Sequence, residues 1–236
     1  ANLLTLLLYG ALGGLFFFLP MDLIRVHGYS ATAAGAAGLP FILMLSLLSR
    51  WAGGLIDRFG PKVPLVVGPL AAGVGFALFA LPGTSGRYWG TFFPAMVVLG
   101  LGMAISVAPL TTTVMNAVDM RHAGIASGVN NAVSRAAGLL AVALMSLLVL
   151  HAFNAEMDRR LAAMNVAPDV AAAFDGERVK LAAAEAPPGA RPSDGTTIQR
   201  AISLAFVTGF RQMVLVAAGL ALASALIAAA MITAPA

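Results

Sequence analysis

Cysteine is absent from this 236-residue chain, and charge is scarce: fourteen Lys and Arg and ten Asp and Glu make up 10% of residues, against about 25% in soluble domains. Without cysteine there is no disulfide, no thiolate-ligated metal and no thiol nucleophile. The three histidines, His27, His122 and His151, lie far apart in the chain. No Walker A sequence and no GxSxG motif occurs either. An enzyme needs a nucleophile and base within hydrogen-bond reach, or a cluster of ligands. The residues therefore predict no enzyme, no catalytic residue, no cofactor and no metal site. A pI near 10.1 and a formal charge of +4 invite a nucleic-acid reading, but the basic residues are dispersed and form no aromatic-interleaved patch, which excludes that partner.

What the chain has instead is apolar length. Hydrophobic residues make up 60% of it and the mean hydropathy is +0.91. Uncharged runs extend from Leu3 to Met21, Ala31 to Ser49, Val63 to Gly86, Tyr88 to Val118 and Gln212 to Ala236, and a sixth, Ala123 to Leu150, is interrupted only by Arg135. Each approaches or exceeds the roughly 20 residues that cross a bilayer as a helix. Barrel strands are about 10 residues of alternating polarity, so the fold class expected is all-α integral membrane, a six-helix transmembrane bundle. Residues 1–150 would hold five helices with short loops, 151–203 an extracytoplasmic loop, and 204–236 the sixth helix. The first run is too long for a cleaved signal and has no basic n-region. The chain begins at Ala1, and the expectation is a piece of a longer protein.

Orientation follows from Lys and Arg in short loops. Arg50, Arg58 and Lys62 follow the second span and Arg121 the fourth, against Arg25 and Arg87 after the first and third. That bias puts both chain ends in the cytoplasm of a bacterial inner membrane. Thirteen of the charges fall between His151 and Arg200. There, Phe153 to Met164 and Val170 to Ala184 have helix-like composition, and Ala186 to Gly195 reads as a linker. Gly10 with Gly14, and Gly124 with Gly128, place small residues four apart, a spacing that lets helices approach closely. Prolines at 20, 40, 69, 94 and 109 predict bent helices.

The residues with chemistry are few. Asp57 lies in the charged turn Gly53 to Lys62, where its carboxylate can pair with Arg58 or Lys62 or face the positive end of a helix; Gly53 and Gly60 allow close approach and reversal there. Arg135, with Asn130 and Asn131 on the same run, is an intramembrane polar group, and such groups face a bundle interior or water unless they snorkel to the interface. Phe16, Phe17, Thr112, Met115 and Asn116 are the candidates for lining a path for a small, partly apolar substrate. Asp22 and Asp119 fall at span ends, so no carboxylate is expected at mid-span to carry a proton.

Gly53, Leu55, Asp57, Arg58, Gly60, Lys62 and Leu65 resemble the cytoplasmic-loop signature of the major facilitator superfamily, with Pro61 where a basic residue is common. Gly100 to Met103 through Pro109, Ala123 to Asn131, Arg135 and Gly138 resemble the C-terminal part of fourteen-span drug:proton antiporters. The resemblance implies the second half of a larger transporter: two halves rocking about a central site, with Gly53, Asp57, Arg58, Gly60 and Lys62 as a conformational latch against six to eight further N-terminal helices. It implies proton-coupled export of hydrophobic or cationic drugs, with the bilayer and a small molecule as partners. Two alternatives stay open on the residues alone, a six-span homodimeric transporter and a membrane scaffold that binds a partner through its external loop.

Overall fold

The structure, a computed structural model, describes residues 1–164, 173–186 and 192–232. Helix α1, Asn2–Met21, runs directly into a π-helical turn, Asp22–Val26. Two helices, α2 (Ala31–Ala36) and α3 (Leu39–Gly53), make the second crossing, and a one-turn helix, α4 (Leu55–Phe59), leads into α5, Lys62–Leu78. Helices α6 (Phe92–Asn116), α7 (Ala123–Ala163) and α8 (Pro192–Met231) complete the bundle. No strand occurs among the described residues. Five of the six crossings are long and apolar enough to span a membrane. The exception, α5, has 17 residues, about 26 Å of helix against about 30 Å of hydrocarbon. It stops at Leu78, upstream of the Gly86 limit read from polarity, because the chain turns toward Pro82-Gly83 through short i→i+3 bonds from Phe79, Ala80 and Leu81.

The helices sort into two triplets. One is α1 with α7 and α8, the other α6 with α3 and α5, and α5 against α8 joins them. Each triplet is built on backbone contact. Along the parallel pair α1 and α7, a Cβ on Gly13 would lie 2.9 Å from Gly138 Cα, and Gly10 and Gly14 face Ala141 and Met145. Along the antiparallel pair α5 and α6, Gly75 faces the Leu99 backbone, Gly102 faces Ala72, and Gly68 faces Ser106. A Cβ on Gly124 or Gly128 would meet no neighbouring element within 4 Å among the described residues. Between the triplets sits an aromatic and aliphatic core that includes Leu8, Leu15, Phe18, Phe76, Phe92, Phe153 and Phe206. The outer surface is apolar too, with Leu139, Leu144 and Leu226 exposed, as a chain solvated by lipid or by further helices requires.

Proline positions divide by helix geometry. Pro40 and Pro94 stand in the first turns of α3 and α6, where an N–H has no intrahelical partner to lose, whereas Pro20, Pro69 and Pro109 lie inside helices. The polarity boundary at Leu150 falls inside α7, which continues to Ala163. Glu156 pairs there with Arg159 and Arg160 at i+3 and i+4, spacings that support a solvated helix. Of the next stretch with helix-like composition, Val170 to Ala184, residues 170–172 lie outside the described residues and Asp175–Ala183 forms a 3-10 segment. Arg178 ties that segment to α7 through Asp158 at 2.7 Å, beside the buried Phe174. Helix α8 begins at Pro192, upstream of residue 204. The linker residues 187–191 and the end of the last predicted span, 233–236, lie outside the described residues.

The ends of the bundle differ. At one, Ala1, Ile56, Pro61, Asn116 and Ile232 border a shared cavity of about 400 Å³, so the α4 turn and both ends of the described chain lie together. At the other, Tyr88, Trp89 and Phe93 form an aromatic cluster, and the Tyr88 hydroxyl donates to Ala37 O at 2.9 Å. Clustering of this kind suits a membrane–water interface.

Backbone contact makes a specific demand at Gly75, where an added Cβ would sit 2.6 Å from Leu99 Cα. Gly75→Ala is expected to destabilise the bundle by about 1–3 kcal/mol through overpacking, read as a lowered melting midpoint of detergent-purified protein. Gly35→Ala, in α2 with nothing within 4 Å, should leave the midpoint unchanged or slightly raised.

Candidate functional site

The charged turn is shaped by Gly60. Its backbone takes φ 69° and ψ 173°, a region closed to residues with a Cβ, and this reverses the chain from α4 into α5. Asp57 and Arg58 are exposed on α4, and the Arg58 guanidinium lies 5.6 Å from the centre of the Phe59 ring. Asp57 makes no ion pair with Arg58 or Lys62 among the described residues. Gly53, at the end of α3, meets no neighbour within 4 Å. The turn therefore presents its carboxylate outward, uncommitted among the described residues. The turn after α6 is self-contained instead: Asp119 accepts from Arg121 N at 3.0 Å and pairs with its guanidinium. Those hydrogen bonds hold the Asp119 carboxyl below its usual range.

Helices α1 and α7 bring a second group together. Thr5, fully buried, donates through Oγ1 to Asn130 Oδ1 at 2.6 Å. Farther along the same seam, Arg135 lines an open groove of about 540 Å³ with Tyr9, Leu12, Phe16, Ser134 and Gly138. Arg135 is exposed and has no ion-pair partner among the described residues. Asn131 is exposed and offers only its backbone carbonyl, to Ser134 Oγ. Phe16 packs edge-on against Phe41 at 5.0 Å, and Phe17 is exposed with its ring edge-on to Phe18.

The five candidate lining residues are not brought to one place. Leu110 of α6 packs with Leu4 and Leu65, so Thr112, Met115 and Asn116 lie level with the very start of α1. Phe16 stands a dozen residues beyond Leu4, about 18 Å along the axis at 1.5 Å per residue. Thr112 spends its hydroxyl on Ala108 O at 3.1 Å, while Asn116 borders the cavity beneath the α4 turn.

One arrangement escaped the reading of the residues. At the end of α1 the π turn places His27 five residues after Asp22, with His27 N donating to Asp22 O at 3.2 Å. The same turn sets His27 Nδ1 3.3 Å from Asp22 Oδ2, both side chains 3% exposed. Burial works against the imidazolium, and the hydrogen bond and charge of the Asp22 carboxylate, together with the backbone carbonyls of Asp22 and Gly83, outweigh it, holding the His27 pKa above its ordinary value. The i, i+5 spacing was visible, but it joins side chains only when the helix widens to π geometry.

The family model of the Major Facilitator Superfamily matches residues 2–142. The chain belongs to the major facilitator superfamily. Across its length it is 30% identical to the tetracenomycin C resistance and export protein of Streptomyces glaucescens, over 96% of this chain and 42% of that protein. It is 36% identical to the lincomycin resistance protein of Streptomyces lincolnensis, over 61% of this chain and 30% of that protein. Among solved structures, a bacterial homolog of the human lysosomal transporter Spinster superposes with a TM-score of 0.66 at 19% identity, covering all of this chain and 48% of that one; at that identity the likeness concerns the fold. The chain thus spans less than half the length of the relatives it matches.

The Thr5–Asn130 bond is the most direct polar link across the α1–α7 seam of this superfamily member. In a double-mutant cycle of Thr5→Val and Asn130→Ala, the coupling is expected near 0.6 kcal/mol and below about 1.7, measured by thermal unfolding in detergent. A coupling of zero would mean the bond contributes nothing to the seam.

Proposed function

We propose that this chain forms the C-terminal six-helix half of a secondary transporter that exports small amphipathic molecules by alternating access, driven by protons. The observation that carries the reading is the similarity to a resistance and export protein along 96% of the chain, through all six helices and the segment between α7 and α8. In this reading the α4 end faces the cytoplasm, following the basic residues Arg50, Arg58, Lys62 and Arg121. The external segment then caps the far end, and the remaining helices of the transporter cover the exposed apolar flanks of α3 and α7.

The two uncommitted charges supply the mechanism. Asp57, outward-facing on α4, would accept hydrogen bonds from donors on the opposing half when the cytoplasmic side is closed. A contact of this kind is worth about 1 kcal/mol, enough to change the ratio of two nearly balanced conformations about fivefold. Gly60 would hold the reversal that aims α4, and Arg58 and Lys62 would keep the turn on the cytoplasmic side. Arg135 with Tyr9 and Phe16 would form a wall of the substrate path, its aromatic surface taking apolar groups and its guanidinium setting orientation or gating passage. Met115 and Asn116, at the cytoplasmic mouth, would meet substrate at entry.

Asp57→Asn is expected to lower efflux about fivefold in the intact transporter reconstituted in liposomes, with membrane insertion unchanged; wild-type flux would remove the latch. Arg135→Ala should reduce flux with Arg135→Lys recovering part of it. Equal flux in all three proteins would return Arg135 to a snorkelling side chain.

A further inference from the structure

We propose that Asp22 and His27 form a buried proton-binding site at the joint where α1 passes into α2 and meets α6, at the end of the bundle opposite Asp57. Its use in transport rests on the proton-driven reading above; its existence does not.

The geometry is that of a pair built to share a proton. His27 Nδ1 lies 3.3 Å from Asp22 Oδ2 and 3.3 Å from the Asp22 backbone carbonyl, and both side chains are almost wholly buried. Among the described residues Asp22 Oδ1 and His27 Nε2 are buried without a hydrogen bond of good geometry, while the Gly83 backbone adds a weaker contact that favours the imidazolium. Buried polar atoms are rarely left so, and an acid with a base beside it and an open carboxylate oxygen gives a proton a place to arrive or leave. The walls are apolar: Leu23 and Phe79 are buried nearby, and the His27 ring stands edge-on to Phe92 at 5.0 Å.

No other ionisable side chain in the described residues completes the pair. Arg25, on the same π turn, is exposed. Tyr29 approaches only ring to ring, at 6.5 Å, and α2 and α6 carry no ionisable side chain. On the 3-10 segment packed against this turn, Arg178 is paired with Asp158 and Asp175, and Lys180 with Glu177. On α8, Arg211 is bonded to Ala80 O and Arg200 is exposed.

Charge then decides how the site behaves. With one proton the pair is neutral overall, whether as carboxylate and imidazolium or as acid and imidazole, and the joint stays dry. Release of that proton to water leaves a carboxylate beside a neutral ring, and uptake of a second leaves an imidazolium beside a neutral acid. Either state buries a net charge, which is costly without a partner, so either favours admitting water between the π turn and Phe92. The two groups titrate as one coupled unit. Proton occupancy is thereby linked to the packing of α1 on α6.

The test is made on the intact transporter, with nitrogen-15 histidine spectra taken across pH and the His27 signal identified by its loss in His27→Gln. The expected result is that Asp22→Asn moves the His27 transition to lower pH, because burial remains and the stabilising carboxylate is gone. An unchanged transition in Asp22→Asn overturns the site. If Asp22→Asn is misfolded, His27→Gln and the double variant Asp22→Asn/His27→Gln serve instead. Both should lose the dependence of melting temperature on pH that the wild type shows near the His27 transition, and its retention in both overturns the proposal. Flux separates the two claims. Efflux stimulated by a proton gradient in a protein whose His27 ignores Asp22→Asn overturns the site and leaves the transport reading. A site that titrates as stated, in a protein whose efflux ignores the gradient, supports the site and overturns the coupling.

Discussion

Lipid hydrocarbon is as apolar as leucine, so burying apolar side chains gives helices in a bilayer little reason to associate, and association rests on contact distance and on a few polar links. Both triplets of this bundle answer that constraint in the same way. Gly13 against Gly138 and Gly75 against Leu99 bring backbones together, so that dispersion forces act over many atoms at short range. The aromatic core between the triplets is then packed by helices whose spacing is already set.

Where contact is this close, polar groups are placed with little freedom. Thr5 reaches Asn130 because Gly10, Gly13 and Gly14 let α1 lie against α7, and the Ser106 hydroxyl, bonded back onto Gly102 O, fills the space that a side chain on Gly68 would need. Farther along, the groove of Arg135 runs beside the same seam, with Gly13 and Gly138, where the backbones touch, among its lining. Close backbone contact and an open wall thus share the same two helices at one level. In the proposed transporter, that lets the wall move with the seam as a rigid body.

The two ends of the bundle treat charge in opposite ways. At the α4 end, Asp57 and Arg58 stand in the open on a one-turn helix. At the other, Asp22 and His27 are withdrawn from water and face each other. An exposed carboxylate can exchange partners at low cost, whereas a buried pair resists any change in its total charge. The first suits a contact made and broken between large bodies, the second a response to protons.

Much of the architecture was legible along the chain, since the absence of charge over each apolar run leaves the backbone no solvent but lipid and no conformation but helix. The charged turn was legible for the same reason, as was Gly60 as its pivot. Helix ends were less so: α7 runs past Leu150 because Glu156, Arg159 and Arg160 support one another on a helix surface, and polarity alone reads such residues as loop. Sequence by itself thus determined the class of fold, the number of crossings and the sites of exposed charge, all of which depend on the local preference of each segment for lipid or water. Only the tertiary structure decided that Asn130 and not Asn131 bonds across the seam, that Phe16 and Asn116 stand at different depths, and that Asp22 meets His27. Those outcomes depend on helix rotation, axial register and one widened turn, which are set by how neighbouring surfaces fit together.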